Sequence, residues 1–245
     1  MKETRLLMGM PITVEVVDDK VTLNDFDRVY SLFRDIDERF SLFKDGSEIS
    51  RINRGEIDGH HLSAEMKTVL ALCEETKIAS DGYFDIAHRG QRDPSGLVKG
   101  WAIFRASSLL KGRGFKDFYV DAGGDIQVSG YSLIRQKWKI GIRNPFNTTQ
   151  TVKTVSLTDR GIATSGTYER GQHIYNPKAP GLYPTDIVSL TVIGPNVYEA
   201  YRFATAAFAM GKMGIEFIEN LTGFEGYQID KSGTAVMTSG FTRYL

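Results

Sequence analysis

The stretch Val120–Gly130, VDAGGDIQVSG, sets the frame for the rest of the chain. It continues an apolar run, Phe118-Tyr119-Val120, and precedes a second one, Trp138–Ile142. Adjacent glycines in a strand-like segment are costly, because glycine has no side chain to pack and loses the most backbone entropy on folding. Gly123-Gly124 therefore reads either as a bulged strand with a polar turn, or as a wall where another segment or a ligand presses on the backbone. Asp121 and Asp125 flank the pair.

Upstream, Leu6–Val17 alternates as a strand, with Ile12, Val14 and Val16 on one face. Phe26, Val29, Tyr30, Phe33, Ile36 and Phe40 recur every three or four residues, which predicts an amphipathic helix starting after Thr22 or Asn24. Ser47 and Ser63 are placed to cap two further helices, the second carrying Met66, Val69, Leu70 and Cys73 inward. Asp93-Pro94-Ser95-Gly96 is a turn, and the segment from Leu97 leads into a helix reaching Leu110.

Downstream, strands are expected at Trp138–Ile142, Thr154–Leu157, Ile187–Ile193, Gly226–Asp230 and Thr234–Thr238. An alanine-rich helix is expected over Tyr198–Met210 and a short one over Ile215–Leu221. Residues 1–245 show no repeat and no linker. The expectation is one α+β unit with a mainly antiparallel sheet and helices packed on it.

Composition narrows the function. At 245 residues with 41% hydrophobic and 24% charged residues, the chain can bury a substantial core. A formal net charge of zero disfavours a nucleic-acid surface. One cysteine, Cys73, allows neither an intrachain disulfide nor a cysteine-rich metal site. No run approaches the ~20 apolar residues of a membrane-spanning helix, so no membrane insertion is expected. The N-terminal segment lacks the apolar core of a signal peptide, which points to a cytoplasmic protein.

Three features carry chemistry. Lys99 lies at the start of a helix, the wrong sign for the helix dipole, so it is better placed to face an anion. Gly161–Arg170, with Thr164, Ser165 and Gly166, reads as a polar loop whose hydroxyls and backbone N–H groups suit phosphate. His173 follows closely and could take a proton near neutral pH.

Taken together and in order, MGMPITVEV, FSLFKDGSEISRIN, GYFDIA, DPSGLVKGWA, VDAGGDIQVSG, GIATSGTYERGQHIYNP and FATAAFAMG resemble the ApbE family of flavin transferases. The resemblance runs from near residue 8 to near residue 211. It implies an α+β (T-fold-like) unit with an FAD cleft. It also implies an enzyme that cleaves FAD with Mg2+, attaches FMN through a phosphoester to a threonine of an acceptor protein carrying a Ser/Thr motif, and releases AMP. By the same resemblance Met8, Phe43, Asp85, Ile86, Ala87, Asp93, Lys99, Thr164, Ser165, Gly166, Ile174 and Tyr175 contact the cofactor. Phe43 stands where the family often has tyrosine. Gly96 and Thr205 are implied as metal ligands. His173 is implied as the base, with Lys99 acting on the phosphates.

The sequence departs from that pattern at one helix. The family usually carries an aspartate four residues before the threonine, on the same helical face; here that position is Tyr201. Glu199 is rotated roughly 200° away on ~3.6 residues per turn. Phe104 and Asn176 stand at two further positions where an acid is usual. Asp121 or Asp125 could compensate. Tyr201 motivates a second reading, a non-catalytic FAD-binding protein; a third is a pyrophosphatase giving free FMN and AMP without an acceptor.

Overall fold

The computed structural model describes residues 1–167, 171, 174–179 and 181–245. Its centre is an eight-stranded antiparallel sheet. The first six strands in chain order are β1 (Lys2–Leu7), β2 (Met10–Val16), β3 (Ala87–His88), β4 (Gln91–Arg92), β5 (Phe118–Ala122) and β6 (Asp125–Ser129). They are followed by β7 (Trp138–Asn144), β8 (Asn147–Leu157), β9 (Gly161–Gly166), β10 (Ile187–Gly194), β11 (Glu225–Asp230) and β12 (Ala235–Met237). The large sheet runs β1-β2-β5-β6-β9-β10-β11-β12, while β3–β4 and β7–β8 form separate hairpins. The helices are α1 (Leu23–Phe40), α2 (Glu48–Asn53), α3 (Ala64–Ala79), α4 (Ser95–Gly112), α5 (Val197–Ala209) and α6 (Gly214–Glu219).

The sheet separates two apolar layers because strand side chains alternate between faces. On one face Ile12, Val14, Phe118 and Val120 pack against Phe26, Phe33, Leu97 and Ile103 of α1 and α4. Ala163 and Leu190 meet α5 on the same side. On the other face Val128, Ile162, Ile193 and Tyr227 pack against Trp138, Ile142 and Val155 of the β7–β8 hairpin. Ser47 and Ser63 cap α2 and α3 as expected, accepting from Ser50 N and Met66 N, each at 3.1 Å. Thr22 precedes α1, its N–H and hydroxyl both donating to the Asp25 carboxylate at 2.9 and 2.8 Å.

Three expectations are corrected. Gly123-Gly124 is not a bulge within a strand: it is the two-residue turn of the β5–β6 hairpin, with φ +62° and +94° at the two glycines, and both line a cavity beside the β7–β8 hairpin. Such hairpin turns need positive φ at both central residues, which glycine supplies without strain. The run Leu6–Val17 is not one strand, because Met8-Gly9 (φ +53° and +72°) turns β1 back onto β2. Gly161–Gly166 is not a loop; it is β9, laddered to β10 with Thr164 opposite Thr191.

Candidate active site

The site forms where α4, α5 and the ends of β6 and β9 meet. The turn at Gly123-Gly124 delivers Asp125 as the first residue of β6, opposite Ala122 and on the helix-covered face. The β6–β9 backbone ladder stops at Ile126 opposite Ile162. The Asp125 side chain continues it: Thr164 N donates to Asp125 Oδ1 at 2.9 Å. The other carboxylate oxygen pairs with Lys99 Nζ at 2.6 Å. Asp125 is 1% exposed, and burying a carboxylate at that level requires such partners. The Thr164 N–H is therefore already engaged, contrary to the expectation of free donors for phosphate. The Thr164 hydroxyl is in turn paired with that of the buried Thr191 at 2.8 Å.

Two cavities meet at this pair. A cavity of about 100 Å³ is lined by Asp85, Asp93, Gly96, Lys99, Thr164, Ser165, Gly166, Ile174, Tyr175, Tyr201 and Thr205, among others. A larger one, about 380 Å³, lies between the sheet and the β7–β8 hairpin, with Tyr119, Asp121, Trp138, Lys139 and Arg143 on its walls. Lys99 and Thr164 border both. Burial pushes the Asp121 carboxyl above its ordinary value, opposed by the Gly124 N–H it accepts at 2.8 Å.

Most expected contact residues converge on the smaller cavity, and some do not. Asp85, Asp93, Lys99, Thr164, Ser165, Gly166, Ile174 and Tyr175 line it, whereas Met8, Phe43, Ile86 and Ala87 are not on its wall. Met8 sits in the β1–β2 turn, packed on the helix-side core. Phe43 is fully exposed, at 100%. His173 lies outside the described residues. Asp93 holds the start of α4, its Oδ1 accepting from Ser95 N at 2.9 Å. Asp85 pairs with Lys77 at 2.7 Å and accepts from Ala87 N at 2.9 Å. The Tyr175 hydroxyl donates to Asp85 O, its ring stacks on His88 at 3.8 Å, and burial raises its pKa.

Gly96 and Thr205, the two expected metal ligands, do come together: Thr205 Oγ1 donates to Gly96 O at 3.1 Å. A hard cation such as Mg2+ takes oxygen ligands, and these two oxygens are of the kind that would hold it. Both donors are neutral, and no carboxylate joins them through Tyr201. Glu199 does not compensate, since it is bound to Arg202 at 2.7 Å. Asp125 is paired with Lys99 at 2.6 Å.

The sequence reading did not assign the role of Asp125, nor the His88–Tyr175 stack. An acid directly after a two-glycine hairpin turn, inside an otherwise apolar strand, was the available signal for the first. The β3–β4 hairpin that presents His88 is too short to leave a periodic signal.

Comparison with known proteins bears on this arrangement. The ApbE family model matches residues 8–91 and 87–228. The chain belongs to the ApbE family. Among curated relatives, the FAD:protein FMN transferase of Salmonella typhimurium is 26% identical over 155 residues, covering 60% of this chain and 44% of that protein. The chain thus spans less than half the length of that relative. The Haemophilus influenzae protein of the same name is 20% identical over 86% of this chain and 82% of its own length. In structure, the flavin transferase ApbE from Vibrio cholerae superposes with a TM-score of 0.87 at 19% identity, covering 100% of this chain and 99% of that one. The ApbE protein from Thermotoga maritima gives 0.89 at 19% identity, covering 100% and 98%. The fold is therefore that of ApbE structures. Among the described residues no helix is long and apolar enough to cross a membrane.

Proposed function

We propose that this chain is an FAD:protein FMN transferase. The observation that carries the reading is the buried Lys99–Asp125 pair standing between two cavities, with Thr164 on the same seam. A dinucleotide has two bulky ends joined by a charged pyrophosphate, and a cation fixed between two cavities suits that middle. The relatives' name supplies the reaction. The acceptor hydroxyl oxygen forms a bond to the flavin-side phosphorus, and the bond from that phosphorus to the bridging oxygen breaks. The electron pair leaves with AMP, and the hydroxyl proton passes to a base, for which His173 remains the proposed residue.

The chain's own contributions are positional and electrostatic. Asp125 holds the Lys99 ammonium in a fixed place, so no reorganisation is needed as charge builds on phosphate oxygens. Thr164 and Ser165 both line the smaller cavity. Mg2+ belongs to this proposal, with Gly96 O and Thr205 Oγ1 as its protein ligands; when bound, it supplies positive charge to the pyrophosphate oxygens. The acceptor is a protein presenting a Ser/Thr flavinylation motif.

The test is incubation of the protein with FAD, Mg2+ and an acceptor domain, read by flavin fluorescence on a denaturing gel and by AMP release. A fluorescent acceptor band with stoichiometric AMP supports the proposal. Free FMN without a labelled acceptor identifies a pyrophosphatase instead. FAD binding with neither product identifies a non-catalytic binder.

A further inference from the structure

The β3–β4 hairpin has strands of two residues each, and so short a hairpin does not hold itself together in water. Its turn residues, Arg89 and Gly90, have φ +51° and +78°, the two positive values that a tight hairpin turn requires. Outside contacts fix it. The Asn53 side chain bonds both backbone groups of Arg92, at 3.0 and 2.9 Å. Asp93 N donates to Ile86 O at 2.8 Å. Its other contacts run to the segment that begins at Ile174. The His88 and Tyr175 rings stack with centres 3.8 Å apart and planes inclined by 17°. Arg89 donates to the Tyr183 hydroxyl at 3.2 Å. Lys178, three residues after Tyr175, pairs with Asp81 at 2.5 Å and stands 4.6 Å from the centre of the Tyr83 ring.

Tyr175 is thereby gripped at two points. Its hydroxyl donates to Asp85 O, and one face of its ring is covered by His88. Tyr175 lines the smaller cavity together with Asp85 and Lys99, whereas His88 is not on that wall. We infer that His88 is a positioning residue: its ring holds Tyr175 as a fixed wall of the smaller cavity, so that the end of FAD entering there meets a surface already in place. A wall ordered before binding spares the ligand the cost of ordering it. What His88 supplies is a flat aromatic face rather than bulk. The inference rests on the transferase reading only in taking FAD as the ligand.

The test compares the wild-type chain with His88→Ala, His88→Leu and His88→Phe. FAD affinity is read by flavin fluorescence, and transfer by kcat and the KM for FAD. The order of the wall is read by hydrogen exchange at the Asn176 and Ala179 amides, each hydrogen-bonded at 3.1 Å. His88→Ala should raise the Kd and KM for FAD about threefold to tenfold, the worth of one aromatic pair. It should leave kcat unchanged and speed exchange of those amides. His88→Leu, with bulk but no flat face, should do the same, and His88→Phe should restore wild-type values. A merely structural role would lower Tm and leave the folded protein's FAD affinity where it was; that result overturns the inference. It is equally overturned by tighter FAD binding in His88→Ala, by a fall in kcat at unchanged KM, or by a His88→Phe protein that behaves like the alanine variant. If the wild type binds FAD but labels no acceptor, the transferase reading falls, while affinity and exchange still decide the inference. If FAD does not bind at all, the exchange comparison decides whether His88 holds the wall. Should His88→Ala fail to fold, His88→Leu against His88→Phe carries the same comparison.

Discussion

Replacing Lys99 with methionine leaves the Asp125 carboxylate in the interior with the Thr164 N–H still donating but its counter-ion gone. Removing one partner of a buried ion pair costs about 3–5 kcal/mol, because the remaining charge is stranded away from water. The Lys99 side chain is 13% exposed and that of Asp125 2%. The stranded group is the more deeply buried one, but the cavities on either side admit water once the lysine is shortened, which places the cost near the lower end, about 3 kcal/mol. For a chain of this size that corresponds to a fall in Tm of about 6–12 °C. Asp125→Asn keeps an acceptor for Thr164 N and frees an ammonium that can reach water, so its cost is about 1–2 kcal/mol. The double variant removes both charges and costs less than the sum, with a coupling of about 1–3 kcal/mol. Thermal melts of the four proteins, followed by tryptophan fluorescence, measure the cycle. A Lys99→Met change below about 1 kcal/mol, or a double variant that is simply additive, would show that the pair does not act as one buried unit.

Gly161 packs so closely under α5 that a Cβ there would lie 1.9 Å from Val197 N; Gly161→Ala should abolish soluble expression or lower Tm more than any other single change named, since the obstacle is backbone. Gly123→Ala should cost about 1–2 kcal/mol, the penalty for a side chain in the left-handed region, and urea midpoints will register it. Burial pushes the Cys73 thiol from 9.0 up to about 12, and the Tyr30 and Tyr198 phenols from 10.0 up to about 12. The folded protein therefore holds these protons more tightly than the unfolded chain. Their contribution is complete below pH 9 and is lost as pH rises from 9 towards 12; unfolding free energies measured across that window should fall, and a flat profile would contradict the burial. Cys73 should accordingly resist a thiol reagent in the native protein and react at once in denaturant.

Elements with strong periodicity were legible in the sequence. The Phe26–Phe40 stripe became α1, and Ser47 and Ser63 became caps, because those signals depend on neighbours within four residues. β1 was missed because KETRLL is an edge strand dressed with charges, as exposed edges commonly are. Thr164–Gly166 looked like a loop because small hydroxyl residues beside glycine mark turns locally; only the non-local ladder to β10 makes them a strand. Gly123-Gly124 misled in the opposite way, since a turn was read as a strand interior. Of the expected site residues, those on α4 and β9 and at Ile174 and Tyr175 gather at one cavity, while Phe43 stands apart in solvent. No spacing rule could have paired Asp125 with Lys99, which reach each other only through the packing of α4 on the sheet.

The carboxylate at the head of β6 also bears on how the chain reaches its native state. The Thr164–Asp125 bond joins residues 39 positions apart, across the β7–β8 hairpin that intervenes in sequence. A slip of β9 by one residue would turn Thr164 N–H away and move every side chain of the strand to the opposite face. Asp125 would then enter the interior with a charge and one partner fewer. The acid thus acts as a proofreader of strand register, making the misaligned sheet expensive while the correct one stays satisfied. A chain that has closed its sheet has, in the same event, set the lysine between its two cavities.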